Sequence, residues 1–162
     1  MLRLSKKADY GLIAMKHLVL LSESGSSSAR EIAGHYDIPV EVLAKVLQRL
    51  ARRGLLASHQ GTRGGYYLAR PATAISVADV IQAIDGPIKV TACSDDEVDC
   101  DQYSKCTVRD PLWRIKDQIV SALSACTVFE MATDTMPDAV FPLAGSTRPD
   151  AVAPLVVPTA SR

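Results

Sequence analysis

No stretch of this 162-residue sequence approaches the run of about 20 apolar residues that a membrane-crossing helix needs. The opening residues mix Lys6, Lys7 and Asp9 into what reads as a first helix, which is not a secretory leader. A cytoplasmic protein with no membrane partner is expected. Histidine is scarce: His17, His35 and His59 all precede the four cysteines, and nothing indicates a Cys-His catalytic pair or a substrate pocket. The length suits one compact domain with an appendage, not a two-domain enzyme with a deep cleft. An enzyme is not expected.

Net charge is also absent, but only in the sum. Residues 1–70 hold eleven Lys/Arg against five Asp/Glu, or +6, and residues 71–162 hold seven against thirteen, or −6. A basic half suits a polyanion and an acidic half repels one, so a nucleic-acid surface is expected in the first half. The competing reading is ordinary solvated charge.

The periodicity predicts a mainly α protein. A first helix over 5–22 would bury Tyr10, Ile13, Ala14, Leu18 and Leu21. Ser28 and Glu31 form a capping box for a short helix over about 29–36. Ile38-Pro39 opens a third helix that buries Leu43, Val46, Leu47 and Leu50, and Gly54 ends it in a left-handed cap. Its other face carries Glu41, Lys45, Gln48, Arg49, Arg52 and Arg53. Leu55 to His59 and Tyr66 to Leu68 read as strands of a hairpin whose glycine-rich tip carries Arg63. A short helix, a basic helix and a hairpin make a winged helix-turn-helix DNA-binding domain over 1–85.

In this setting Arg30, Glu41, Lys45, Gln48, Arg49, Arg52, Arg53 and Arg63 are the candidate DNA contacts. Glu41 and Lys45 stand where base edges would be met, and Arg52 and Arg53 where phosphates would be. The alternative is that these charges only solvate a helix.

A further helix over 76–84 is stopped by Gly86-Pro87, and a cysteine loop spans 86–109. Asp110 and Pro111 then open a long helix over 110–132 whose Leu112, Ile115, Ile119, Leu123 and Cys126 recur at heptad-like intervals. Such a seam fits a C-terminal dimerisation helix, or packing on its own domain. Residues 133–162, rich in proline, alanine and valine, read as a disordered tail.

Cys93, Cys100 and Cys106 lack the two-to-four-residue pairing of structural zinc, and five acidic residues surround them. Three dispersed thiolates suit an iron-sulfur cluster with a fourth ligand from elsewhere. Zinc and a metal-free thiol redox switch remain the alternatives.

Several segments together resemble the IscR/NsrR/RirA family of iron-sulfur winged-helix regulators over about residues 1–131. They are Leu4-Ser5-Lys6, Asp9-Tyr10-Gly11, Arg30-Glu31-Ile32-Ala33, Ile38-Pro39, Gly54-Leu55, Gly64-Gly65-Tyr66, Ile75-Ser76-Val77, the three cysteines and Leu112-Trp113. The resemblance implies a homodimeric regulator on a two-fold double-stranded DNA operator, with a 2Fe-2S or 4Fe-4S cluster held by Cys93, Cys100 and Cys106. It points to the branch that controls SUF-type assembly genes, with a nitric-oxide- or iron-responsive repressor as the alternative. The histidine that the assembly regulators place three residues after the third cysteine is Arg109 here, which cannot ligate iron. The nitric-oxide sensors' pattern instead implies Asp9, reaching in trans to the partner's cluster, with His35, Asp110 or an exogenous ligand as alternatives.

Overall fold

The computed structural model describes residues 4–21, 25–61, 64–90 and 101–133. Arg63, Cys93, Cys100 and the expected tail from 134 onward lie outside these. The described elements run α1 (Lys6–Leu20), α2 (Ala29–His35), α3 (Val40–Arg52), β1 (Leu56–His59), β2 (Gly65–Leu68), α4 (Val77–Asp85), α5 (Arg109–Ala125) and α6 (Val128–Thr133). The protein is mainly α, with one two-stranded sheet. Among the described residues no helix is long and apolar enough to cross a membrane.

Ser5 starts α1, its hydroxyl accepting from the Ala8 amide at 3.1 Å. The helix packs against α3, α4 and α6, and its buried residues are Ala8, Gly11, Ala14, Met15, Leu18 and Val19. Tyr10, Ile13 and Leu21, expected on the buried face, are only partly covered. Enclosure by three helices widens the buried surface beyond one stripe and shifts its centre. At the α1–α4 crossing a Cβ on Gly11 would overlap Cδ1 of Ile84, so any larger residue there would force the Ile84 side chain to turn.

The capping box of α2 forms as expected. The Glu31 amide donates to Ser28 Oγ at 3.2 Å, and the Ser28 amide to Glu31 Oε2 at 2.7 Å. Asp37 takes the left-handed conformation, with φ of 52°, in the tight turn to α3. Pro39, expected in the first turn of α3, is its N-cap, and the helix buries Leu43, Val46, Leu47 and Leu50. Gly54, at φ 71°, lets the Leu55 amide return to the Leu50 carbonyl at 3.0 Å.

In the hairpin, Leu56 faces Leu68 and His59 faces Gly65. A third backbone segment joins it. The Ser27 amide donates to the Tyr66 carbonyl at 3.1 Å and the Tyr66 amide to the Ser27 carbonyl at 2.8 Å. That pairing moors the wing to the start of α2.

Ser76 and Asp79 cap α4 reciprocally, at 3.0 Å in each direction, and Gly86 ends it at φ 85°. Asp110 does not cap α5. The helix starts one residue earlier, after Val108, and the Asp110 carboxylate accepts instead from Arg109 Nε at 2.8 Å. The long helix also ends sooner than expected. It breaks at Cys126-Thr127, where Thr127 and Glu130 form a capping box that starts α6. The Val77 amide donates to the Cys126 carbonyl at 2.9 Å and the Val128 amide to the Ile75 carbonyl at 2.8 Å, so the chain returns to the main core. Val128 is fully buried there with α1 and α3 residues.

Candidate nucleic-acid interface and cysteine segment

An α-helix advances about 100° per residue, so Glu41, Lys45, Gln48 and Arg52 fall within one narrow stripe of α3. All four are exposed. Opposite lies the buried ridge that fixes the helix to α1 and α2. The stripe is short in apolar atoms and carries donors and an acceptor, the groups that base edges and phosphates pair with.

Arg49 and Arg53 stand elsewhere, roughly 90° round the helix from that stripe. Arg49 donates from Nη1 to the Ile84 carbonyl at 2.7 Å, which ties α3 to the end of α4. The sequence placed it with the exposed basic face. In the structure it braces two helices. A cleft of about 520 Å3 opens beside it, lined by Ser5, Lys6, Lys7, Arg49, Arg53 and Asp85 among others. Lys6 and Lys7 were not among the expected contacts, although a lysine doublet at a helix start in the basic half was a visible signal. Arg30 is exposed on α2.

The wing glycines serve the protein's own backbone. A Cβ at Gly65 would lie 2.7 Å from the carbonyl carbon of Ser27 and 2.8 Å from its oxygen, and one at Gly64 would lie 2.7 Å from the His59 carbonyl oxygen.

Beneath the α1–α2 junction His17, His35 and Tyr36 form an aromatic group. His17 Nδ1 lies 3.3 Å from the Tyr36 hydroxyl, and the His17 and His35 ring centres are 5.5 Å apart. Partial burial, reinforced by His35 and opposed by Glu31, pushes the His17 pKa below its usual value. His35 is thus part of a packed aromatic set.

Of the three candidate ligands, Cys106 is described: its thiol is free and half-buried just before α5. Arg109 lies over the Tyr103 ring, 4.4 Å from its centre, and bonds Asp110. The Asp110 hydrogen bond and charge hold its guanidinium even more firmly protonated. Arg109 cannot ligate iron, whereas the Asp110 carboxylate, paired through Oδ1, is 64% exposed. Asp9 is exposed on α1, and its carboxylate has no partner among the described residues. Among the described residues no three His, Cys, Asp or Glu side chains converge. Cys126 is separate: it is buried against Val77 and Ile81, and burial, with Glu130 nearby, pushes its thiol pKa up.

Helix α5 has no buried residue along its 17-residue length. Its Leu123 end packs against Val77 and Ile81, while Ile115 is 44% and Val108 58% exposed. The Trp113 indole N–H is shielded from solvent yet meets no acceptor among the described residues.

A family model described as Rrf2, iron-dependent transcriptional regulator, matches residues 4–134. IscR, an HTH-type transcriptional regulator of Cronobacter sakazakii, is 33% identical over 134 residues, which is 82% of each chain. Among solved structures, CymR (YrzC), the global cysteine regulator of B. subtilis, aligns with a TM-score of 0.68 at 30% identity over 83% of this chain and 98% of its own. IscR of T. potens aligns at 0.64 with 27% identity, over 83% of this chain and 88% of its own.

Proposed function

From the premise that the chain belongs to the Rrf2 family of transcriptional regulators, we propose that it is a cytoplasmic, homodimeric, cluster-sensing regulator of iron-sulfur assembly genes of the SUF type. The family is one of regulators rather than enzymes. The observation that carries the DNA-reading part is the exposed stripe Glu41, Lys45, Gln48 and Arg52 on a helix held by a buried ridge and flanked by a moored hairpin. An α-helix of about 10–12 Å diameter fits a major groove about 12 Å wide. Glu41 and Lys45 then meet base edges, Gln48 supports them, and Arg30, Arg52 and Arg63 position the protein on phosphates.

The dimer reading rests on α5. An apolar seam in which Ile115 is exposed and Leu112 and Ile119 are only half-buried is what a second copy would bury, and it offers the shielded Trp113 N–H a place to find an acceptor. Two copies would present two reading helices to a two-fold operator.

The donor chemistry of Cys93, Cys100 and Cys106 fits an iron-sulfur cluster, and an exposed, unpaired Asp9 fits a fourth ligand given to the partner. A bound cluster supplies a group sensitive to oxidants, nitric oxide and iron supply. The protein's part is to hold the loop that carries those thiols between α4 and α5, two elements that touch each other, of which α4 is tied to the reading helix through Arg49. A tenfold change in DNA affinity needs about 1.4 kcal/mol between the two loop states.

The test is anaerobic purification with iron and acid-labile sulfide measured per chain. Matched iron and sulfide, lost in Cys93→Ser, Cys100→Ser or Cys106→Ser and accompanied by altered DNA affinity, supports the reading. Faster cluster loss with nitric oxide than with iron depletion moves the signal to nitric oxide. A colourless protein whose DNA binding responds to oxidants alone replaces the cluster with a thiol switch.

A further inference from the structure

We propose that the cleft between the start of α1 and the end of α3 is a second DNA contact, a seat for backbone phosphates built from Lys6, Lys7 and Arg53. The proposal rests on α3 being the DNA-reading helix and adds a surface outside both that helix's reading stripe and the wing.

The cleft brings together Lys6, Lys7, Arg49 and Arg53 against a single carboxylate, Asp85. Asp85 is already engaged by Ser5, whose hydroxyl donates to Oδ1 at 2.6 Å and whose amide donates to Oδ2 at 3.3 Å. Arg49 is committed to the Ile84 carbonyl. Lys6, Lys7 and Arg53 are exposed, and their side chains form no hydrogen bond or ion pair among the described residues. Three unpaired cations from two elements on one concavity repel one another. No contact within the described protein calls for them, and an anion arriving from outside relieves the repulsion.

The position of the cleft names the anion. A helix nearly as wide as the major groove fills it, so the flank about 90° from the base-facing stripe faces the groove wall, which is the phosphate backbone of one strand. Arg53 lies on that flank, and the α1 lysines extend it away from the groove axis. The cleft is open rather than enclosed, which suits a polymer passing across it and not a small anion held inside. The Arg49 bond to Ile84 and the Ser5 bonds to Asp85 hold the two walls to the same end of α4. The seat is therefore preformed, and its lysines need only rotate.

The experiment uses the full chain and two duplexes of equal length, one selected from a random library for tight binding and one of random sequence, titrated across about 50–200 mM salt. Lys6→Gln/Lys7→Gln is expected to weaken binding about tenfold on both duplexes alike and to make the salt dependence shallower by about one to two ions. Arg53→Gln should act in the same direction, and Lys7→Arg should keep the wild-type slope. Lys16→Gln removes a charge farther along α1 and should leave the slope unchanged, which separates local contact from net charge. Melting temperatures equal to wild type show that the variants are folded. An unchanged slope in Lys6→Gln/Lys7→Gln, or a loss confined to the selected duplex, overturns the seat while wild-type binding stands. A wild-type protein that selects no duplex overturns the DNA-reading role and the seat together.

Discussion

Arg49 of α3 donates to the main-chain carbonyl of Ile84 at the last turn of α4, 2.7 Å away. A charged donor on an otherwise unpaired helix-end carbonyl contributes about 1–2 kcal/mol, and here it also sets the angle of the proposed reading helix. Arg49→Met is expected to lower the melting temperature and DNA affinity together while leaving the salt dependence of binding unchanged. A shallower salt slope with wild-type stability would make Arg49 a phosphate contact instead.

Gly65→Ala should damage the wing without touching any DNA-facing group. The added methyl meets the Ser27 backbone, which cannot rotate away, so a loss of about 1–3 kcal/mol is expected. Hydrogen exchange should show the Ser27 and Tyr66 amides losing protection. Unchanged protection would mean that the bridge moves at little cost.

Lowering the pH should destabilise the α1–α2 junction. His17 has a folded pKa below the ordinary histidine value of 6.5, so the unfolded chain binds this proton more tightly. Its contribution is intact above about 6.5 and is lost as pH falls below that value. The melting temperature should drop across this window in the wild type and less in His17→Phe. The capping carboxylates Glu31 and Glu130, held below the ordinary glutamate value by the hydrogen bonds they accept, act only at lower pH. An identical profile in His17→Phe would place the titration elsewhere.

Ile115→Asp should separate the proposed dimer. A carboxylate buried unpaired in the seam costs on the order of 3 kcal/mol, or roughly a 100-fold weaker association. Sedimentation would show a monomer of wild-type helicity. A persisting dimer would show that α5 is not the interface.

In metal-free protein, iodoacetamide should label Cys106 and spare Cys126, which is only 6% exposed and has a raised thiol pKa. Peptide mass spectrometry before and after denaturation reads this directly. Rapid native labelling of Cys126 would mean that the α5–α6 junction opens readily.

The helices were legible because each carries a period and a punctuation mark: Ser28 with Glu31, Gly54, and Gly86. The α6 start carried the same mark, Thr127 with Glu130, but the apolar spacing through Cys126 read as one uninterrupted helix and hid it. The candidate DNA contacts of α3 were legible as outward-facing, and helical spacing divides them into a stripe and a flank. The engagement of Arg49 was not legible, because its partner Ile84 lies far along the chain. Ser27 gave no sign of joining the hairpin, since a single bridging residue has no period. Spacing singled out the cysteines, whereas a ligand of the kind proposed, supplied in trans, would leave no spacing relative to them.

The return of the chain at Cys126 and Val128 changes what kind of object the cysteine segment is. With α4 and α6 both packed on α1, the stretch between them is an insert clamped at both ends, not an appendage. A tethered appendage can alter its own shape without loading its support, but an insert that shortens or stiffens pulls on two fixed points of the same body. Those points lie at the Arg49 brace on α3 and at the main core that holds Val128. The same clamps would make the insert exchangeable: under the proposed function, a different sensing chemistry spliced between them would inherit the same mechanical connection to α3.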